Sequence, residues 1–588
     1  MNLPHPYFGA VLISSMKPQS VDANMDAFTQ QFRTLANPVA LDIGRCSNSI
    51  SSRDRAAGVL HHTVTLKANS TTRLDLIVGA VDVFKIEEEA SRYTEKYFVD
   101  DGRMIDEAFN EMRTRTKERL GKIRIASTDH RLDLFVNKWV PQLIEYGSTH
   151  CRWGLMGYRD IVQQVQGAVM CGDADRKLVY LKRALAHQHS DGYAVRAFPA
   201  IHEDAHMKYA DSAFWLVKAI IEYIKESGNL GFLEKEIPFL DGPEGTVWKH
   251  LQATMQALGS GQGAHGLCLI YEGDWNDSLT HVGPQGRGES VWLSQAFCYA
   301  CLLMEDLADF VGDEKSAAEY RAAYAEMRSN LNEFAWDGEW YVRAFNDAGE
   351  AIGSKSNHEG RIYLNTQSWA LISETAPPDR AQRIIQSIKS ELSTLYGYML
   401  LYPTYTKMQE GIGRITCLEP GCSENASVYT HANAFLALGL LKLGYSDTGY
   451  EVIRKILPDN PDNPSLAVIP YQLSNGYGGT DHRYDPGKAQ YGWVTGSGSW
   501  LYLSVIDYLF GLRKGYDGIR VRPHLPSHWE RASIERGYRN CVYRVSYRRR
   551  DEGDGFEVVV NGHAHDARRP LPIERGKVLG VEVLIGHG

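Results

Sequence analysis

Between Ser127 and Gly511 the apolar residues recur at helical rather than strand spacing, and they do so for several hundred residues. The run opens with Leu132, Phe135, Val136, Trp139, Val140, Leu143 and Ile144 at steps of three and four. They follow Ser127-Thr128-Asp129, side chains suited to capping a first turn. Comparable helices are expected near 159–170, 175–187, 211–227, 244–258, 289–311, 315–335, 365–375, 379–395, 430–443, 447–456 and 498–511, with Gly228 ending the helix before it. Short turns alternate with long loops rich in Gly, Tyr, Trp and Asp. That alternation suits an (α/α) toroid, in which each helical hairpin turns one face inward and one outward. No fixed repeat length runs through the helices, which argues against a solenoid. The expected fold class is mainly α.

Strand patterns bracket this region. The apolar run 7–14, the alternation Thr63-Val64-Thr65-Leu66-Lys67 and the stretch Arg73-Leu74-Asp75-Leu76-Ile77-Val78 read as parts of a β-sandwich. Residues 91–122 are charged and carry Tyr97, Ile105, Phe109, Met112 and Leu120 as a helical linker would. After Gly511 the stretches 518–523, 541–547, 556–562 and 578–585 are β again. The expected organisation is an N-terminal sandwich over 1–90, a helical linker over 91–126, a helical domain over 127–515 and a small β domain over 516–588.

A chain of 588 residues exceeds one ordinary core. Its net charge of −9, with no basic run longer than Arg548-Arg549-Arg550, argues against a partner of nucleic acid or anionic membrane. No apolar run reaches the roughly 20 residues of a membrane span, and the first ten residues lack the pattern of a signal peptide. Nine cysteines without framework spacing suit reduced thiols in a cytoplasmic protein. Cys298 and Cys301 form a C-x-x-C inside a helical stretch, where packing explains them better than zinc. No metal is implied.

The residues that could carry chemistry sit in loops at helix ends. They are Cys151-Arg152 through Tyr158-Arg159-Asp160, Tyr271-Glu272-Gly273-Asp274-Trp275-Asn276-Asp277, Glu424-Asn425 through His431, Tyr471-Gln472, and Trp493-Val494-Thr495-Gly496. Breaking a glycosidic bond needs a carboxylic acid that protonates the leaving oxygen. Asp277, beside Trp275 and Asp274, suits that role. Taken alone, Asp274, Asn276 and Asp277 also suit turn and capping duty, and His431 suits a structural histidine. The glycines of 259–263 do not follow a strand in a βαβ setting, so they are no nucleotide loop.

In this order the motifs resemble the inverting β-glycoside phosphorylases of glycoside hydrolase family 94. The resemblance rests on Gly273-Asp274-Trp275-Asn276-Asp277 with Gly286-Arg287-Gly288-Glu289-Ser290-Val291-Trp292, and on Pro420-Gly421 through Glu424-Asn425 to His431. It rests also on Trp493-Val494-Thr495-Gly496 leading to Gly511-Leu512-Arg513-Lys514-Gly515-Tyr516-Asp517-Gly518. It implies an N-terminal β-sandwich, a helical linker, an (α/α)6 barrel and a C-terminal β domain, assembled as a homodimer. Asp277 matches the general acid. Arg152, Asp160 and Trp275 match positions that hold the transferred glucosyl unit, with Gln472 on a looser alignment; Arg159 and Asn276, in the same loops, are counted with them as substrate-binding. His431, Thr495 and Gly496 match the phosphate site, and Glu424 lies toward the acceptor.

The implied reaction is β-glucoside plus inorganic phosphate giving α-glucose 1-phosphate and a free acceptor sugar. Phosphate is the co-substrate, with no other cofactor. Two features depart from the family. The segment before the barrel is short, which implies a reduced sandwich, and Ser423-Glu424-Asn425-Ala426-Ser427 stands where a Lys followed by Glu-Asn-Gly-Gly is common. Two alternatives stay open. One is an inverting β-glucan hydrolase or transglycosylase in which Glu424 or Asp481 activates water; the other is a non-catalytic carbohydrate-binding subunit, which the joint presence of Asp277, His431 and Thr495 disfavours. Linkage, acceptor, and glucose against N-acetylglucosamine are left undetermined.

Overall fold

The computed structural model describes residues 8–51, 55–149, 156–172, 174–198, 209–465, 472–490, 496–550 and 553–586. The chain divides into two compact units, Met1–Glu118 and Arg119–Gly588.

In the first unit β1 (Phe8–Ser14) pairs antiparallel with a late strand, Leu76–Asp82, while β2 (Ser20–Asn24) pairs with β3 (Ala56–His61). The late strand is β4. It starts later and runs further than the pattern at 73–78 suggests. The strand expected at 63–67 is absent, because Thr63, Val64, Thr65 and Leu66 are all exposed and their alternation marks no buried face. α1 (Ile86–Tyr97) packs on β1 and β4, and α2 (Arg103–Gly121) follows.

In the second unit β5 (Ile123–Ala126) leads into α3 (Val140–Thr149), through a helical turn and a π-helical stretch at Phe135–Trp139. Asp129 caps that turn by accepting from the amides of Arg131 and Leu132. The helices that follow are α4 (Tyr158–Cys171), α5 (Ala174–Leu185), α6 (Ser212–Ser227), α7 (Val247–Ser260), α8 (Val291–Val311) and α9 (Glu314–Phe334). After them come α10 (Leu364–Ile372), α11 (Pro378–Glu391), α12 (Thr430–Lys442), α13 (Ser446–Ile456) and α14 (Ser497–Leu503).

Contacts among these helices alternate. α4 packs on α6, α6 on α8, α8 on α10, α10 on α12, α12 on α14, and α14 back on α4. The intervening helices α3, α5, α7, α9, α11 and α13 each pack on a member of that ring. Composition explains the division. α12 is buried nearly throughout, as a helix apolar around most of its circumference must be, and α10 is buried throughout although it carries Asn365, Thr366, Gln367 and Ser368. α11 buries only Ala381, Ile384, Ile385, Ser387 and Ile388, a single stripe, and turns its charges out. Cys298 and Cys301 are buried in the ring helix α8. Among the described residues no helix is long and apolar enough to cross a membrane.

The chain leaves α14 through a second π-helical stretch, Ser504–Leu509, so the helix expected over 498–511 is regular only in its first half. Gly511 then turns it with φ +72, where a Cβ would meet the carbonyl oxygen of Arg522 at 2.1 Å. The hairpin β6 (Leu512–Lys514) and β7 (Ile519–Val521) follows. The last element is a sheet built from β8 (Arg531–Tyr538), β9 (Cys541–Arg549), β10 (Phe556–Val560), β11 (His563–His565) and β12 (Val578–Ile585). Its order is β11-β10-β12-β9-β8-β5, parallel only between β9 and β12. The short strand β5, from a stretch expected to be helical, is thus an edge of this sheet.

Candidate active site

Loops at the N-terminal ends of ring helices bring Arg159, Trp275, Asn276, Asp277, Glu424, His431 and Gly496 near one another. The loop 271–290 is fixed from below by Arg343, which is fully buried. Arg343 follows the strand geometry of its neighbours: Ala344–Phe345 pairs with Glu289–Ser290, and the Arg343 carbonyl accepts from the amide of Val291. Its guanidinium donates to Asp274 Oδ1 at 2.5 Å, and to Asn276 Oδ1 from Nε at 3.1 Å and Nη2 at 2.9 Å. Asn365 Nδ2, from α10, adds a third donor to Asn276 Oδ1 at 2.9 Å. Ser290 Oγ donates to Asp274 Oδ2 at 2.6 Å and accepts the Leu293 amide at 2.9 Å, so the cap of α8 also anchors the loop.

Asp274 is therefore a buried counter-ion and Asn276 a hub, rather than exposed turn residues. The expectation that Asn276 contacts substrate meets a buried side chain with its carbonyl oxygen triply engaged. Asp277, next in sequence, is the group that stays partly open, with 32% of its side chain exposed.

Arg159, in the first turn of α4, joins three loops. Nη2 donates to Asp277 Oδ1 at 2.7 Å, and Nη1 donates to the Asp274 carbonyl at 2.7 Å and to Asp211 Oδ2 at 3.1 Å. Asp211 is fully buried, accepts Trp215 Nε1 at 2.8 Å, and has its carboxyl pushed up to about 6 by burial. The Ala210 amide donates to the Gly273 carbonyl, which joins the Asp211 loop to the 271–290 loop.

Glu424 approaches the same turn from the loop before α12. Its Oε2 accepts the Ser278 amide at 3.2 Å and Asn276 Nδ2 at 3.4 Å, so it is held by the residues on either side of Asp277. Burial, with Asp277 adding, pushes its carboxyl up to about 7. The backbone beside it is tight: Ser423 and Ala426 adopt positive φ of 49° and 67°, where Gly is the easier residue.

Trp275 is buried edge-on to His431, with ring centroids 5.4 Å apart, and edge-on to Tyr429 at 5.6 Å. His431 lies in the first turn of α12, tilted against Phe435 at 4.5 Å. Burial, with Arg159 adding, holds the imidazole down to about 3, and its Nε2 has no hydrogen-bond partner among the described residues. Gly496 approaches this ring so closely that a Cβ would lie 3.0 Å from His431 Cε1. Gln163 borders the same spot and accepts Trp500 Nε1 at 2.9 Å.

Asp160 sits in the first turn of α4, half-buried, and is felt electrostatically by Arg159. Gln472 is buried in the segment whose Asn475 carbonyl accepts the amide of Thr430. Arg152 and Thr495 lie outside the described residues. Asp481 is exposed and accepts Thr404 Oγ1 at 3.0 Å, apart from the Asp277 network.

Sequence reading missed Arg343, Asp211, Asn365 and Gln163. Arg343 and Asn365 are distant in sequence from the loop they hold, and the only signal was a polar residue set among apolar neighbours in Tyr341-Val342-Arg343-Ala344-Phe345 and Ile362-Tyr363-Leu364-Asn365.

The family profile described as the glycosyl hydrolase 94 superfamily catalytic domain matches residues 116–511, and the glycosyl hydrolase 94 supersandwich domain matches 4–98. Solabiose phosphorylase of Paenibacillus borealis is 33% identical over 93% of this chain and 70% of its own. Cellobionic acid phosphorylase of Neurospora crassa is 29% identical over 97% and 73%. An N,N'-diacetylchitobiose phosphorylase of Vibrio proteolyticus is 28% identical over 98% and 75%. The chain belongs to the glycosyl hydrolase 94 superfamily and is an enzyme of that family.

Proposed function

We propose that the protein is an inverting β-glucoside phosphorylase, with Asp277 as general acid and inorganic phosphate as nucleophile. The ring of helices is read as an (α/α)6 barrel, with the catalytic loops gathered at one end. Asp277 protonates the glycosidic oxygen as the bond to the anomeric carbon breaks. A phosphate oxygen attacks that carbon from the opposite face, and α-glucose 1-phosphate and the acceptor sugar leave. Arg159 orients Asp277, Trp275 lines the sugar site with Asp160, Arg152 and Gln472, and His431 holds phosphate with Thr495 and Gly496. A homodimer in the cytoplasm belongs to the same proposal.

One observation carries this choice over hydrolysis. Inverting hydrolysis needs a second carboxylate across the sugar, about 6.5–9.5 Å from the first, with water between them. Glu424 is instead bonded to Asn276 and Ser278, on the acid's own side. The groups placed beyond Trp275 are a neutral imidazole with an unengaged Nε2 and the backbone of Gly496, which suit an oxyanion as ligand. Three relatives, named for phosphorolysis of solabiose, cellobionic acid and N,N'-diacetylchitobiose, support the same reading.

The test is incubation with β-linked glucose disaccharides, with and without phosphate. Phosphate-dependent α-glucose 1-phosphate is the expected product. Release of glucose at the same rate without phosphate contradicts the reading and favours the hydrolase.

A further inference from the structure

The stretch 511–518 belongs to the family-like motifs, yet it lies far from Asp277. α6 leads from its cap Asp211 to Lys225 in its last turn, and α8 from its cap Ser290 to Phe310 in its last turn. At 1.5 Å per residue those paths leave the catalytic loops by about 20 and 30 Å. α14 and the π-helical stretch after it lead away from Gly496 to β6. These elements end around a cavity of about 650 Å³, lined by six basic side chains and two acidic ones.

Most of that charge is matched. Lys225 pairs with Asp306 at 2.7 Å, Arg520 with Asp517 at 2.7 Å, and Arg568 with Asp566 at 3.1 Å. Lys514 is buried between Glu222 and Asp507, each at 2.7 Å. Arg513 and Arg522 are left over. The Arg513 guanidinium lies 4.5 Å from the Tyr508 ring centroid, and its Nε and Nη2 are buried without hydrogen-bond partners among the described residues. Burial, with Arg522 adding, holds that guanidinium below its usual range. Arg522 is exposed and makes no side-chain hydrogen bond or ion pair among the described residues.

Asp507 and Glu374 offset part of the Arg513 charge from a distance, yet the two guanidinium groups repel each other and the buried nitrogens of Arg513 forfeit their hydration. Tyr516, 6% exposed on the cavity wall, likewise has a hydroxyl without a hydrogen-bond partner among the described residues. A dianion with several acceptor oxygens is the group that guanidinium forks recognise best. Phe310 and Phe556, also on the wall, supply apolar faces that a bare inorganic ion would not use.

We propose that this cavity binds an organic phosphate monoester, its phosphate between Arg513 and Arg522 and its body against Phe310 and Phe556. The experiment is calorimetric titration of the full chain with glucose 6-phosphate, using wild type, Arg522→Gln, Arg513→Gln and His431→Ala. The dissociation constant is expected to rise about tenfold in each arginine variant and to stay unchanged in His431→Ala. Arg522 is exposed, so its variant tests the site even if Arg513→Gln fails to fold. Loss of binding in His431→Ala with no change in Arg522→Gln places the probe in the catalytic site and overturns the proposal. Absence of binding to wild type up to about 10 mM does the same. Equal affinity for inorganic phosphate, sensitive to Arg522→Gln, overturns the ester assignment.

Discussion

Among the carboxylates of the site, Glu424 is the one whose ionisation burial changes most. Its carboxyl is raised from 4.5 to about 7, so between those pH values the native state binds a proton that the unfolded chain does not. Stability contributed by that proton is present below about pH 4.5 and is lost as pH rises toward 7. Asp211, raised to about 6, adds a loss of the same sign over a lower window. The melting temperature of wild type should therefore fall between pH 5 and 7, and Glu424→Gln should fall less. An identical slope in both proteins removes Glu424 from this account. Burial holds the His431 imidazole down to about 3, which keeps it neutral between pH 5 and 7. His431→Ala should raise KM for phosphate by about tenfold or more, one charge-assisted hydrogen bond's worth, with little change in KM for the glucoside. A rise in KM for the glucoside alone contradicts the phosphate role.

At the scale of elements, the loop 271–290 owes its shape to partners brought in from elsewhere. Arg343→Met leaves Asp274 charged, buried and without its counter-ion, which costs about 3–5 kcal/mol. A large drop in melting temperature is expected, partly recovered by adding Asp274→Asn, which removes the stranded charge. An unchanged melting temperature rules out the buried ion pair as a clamp. Much of this level was legible. Helices showed in their apolar spacing because their stripes face a core, and Asp277, Trp275, Glu424 and His431 showed as unusual residues in loops at helix ends. Strand β8 did not, because its inward positions are Ala532, Ile534, Arg536 and Tyr538 and the buried arginine breaks the apolar alternation. The segment 63–67 misled for the opposite reason, having alternation without a face to bury.

At the scale of the molecule, that same Arg536 explains why the terminal sheet and the helices form one unit. It is fully buried and donates to Asp507 Oδ1, Glu226 Oε2 and the Leu512 carbonyl at 2.9, 2.9 and 2.7 Å. Asp507 also holds Lys514, whose other partner is Glu222 on α6. Arg536→Gln should lower thermal stability by about 3–5 kcal/mol and move the helical and sheet signals together, since it leaves two carboxylates short of a cation. Separate melting of the sheet, with the helical transition unmoved, contradicts that coupling. No pattern in the sequence reveals such a network, because its bridges from Arg536 to Glu226 and from Lys514 to Glu222 join residues far apart along the chain. The order of the ring, by contrast, follows from the order of the helices.

The central claim is that Asp277 gives the proton and phosphate makes the bond, and both parts can be read in one comparison. A leaving group as acidic as dinitrophenol needs no proton, whereas a sugar does. Asp277→Asn should lose phosphorolysis of a β-glucosyl disaccharide by about a hundredfold or more. It should still release dinitrophenol from dinitrophenyl β-glucoside in the presence of phosphate, yielding α-glucose 1-phosphate. Equal loss on both substrates, or release that ignores phosphate, contradicts the account.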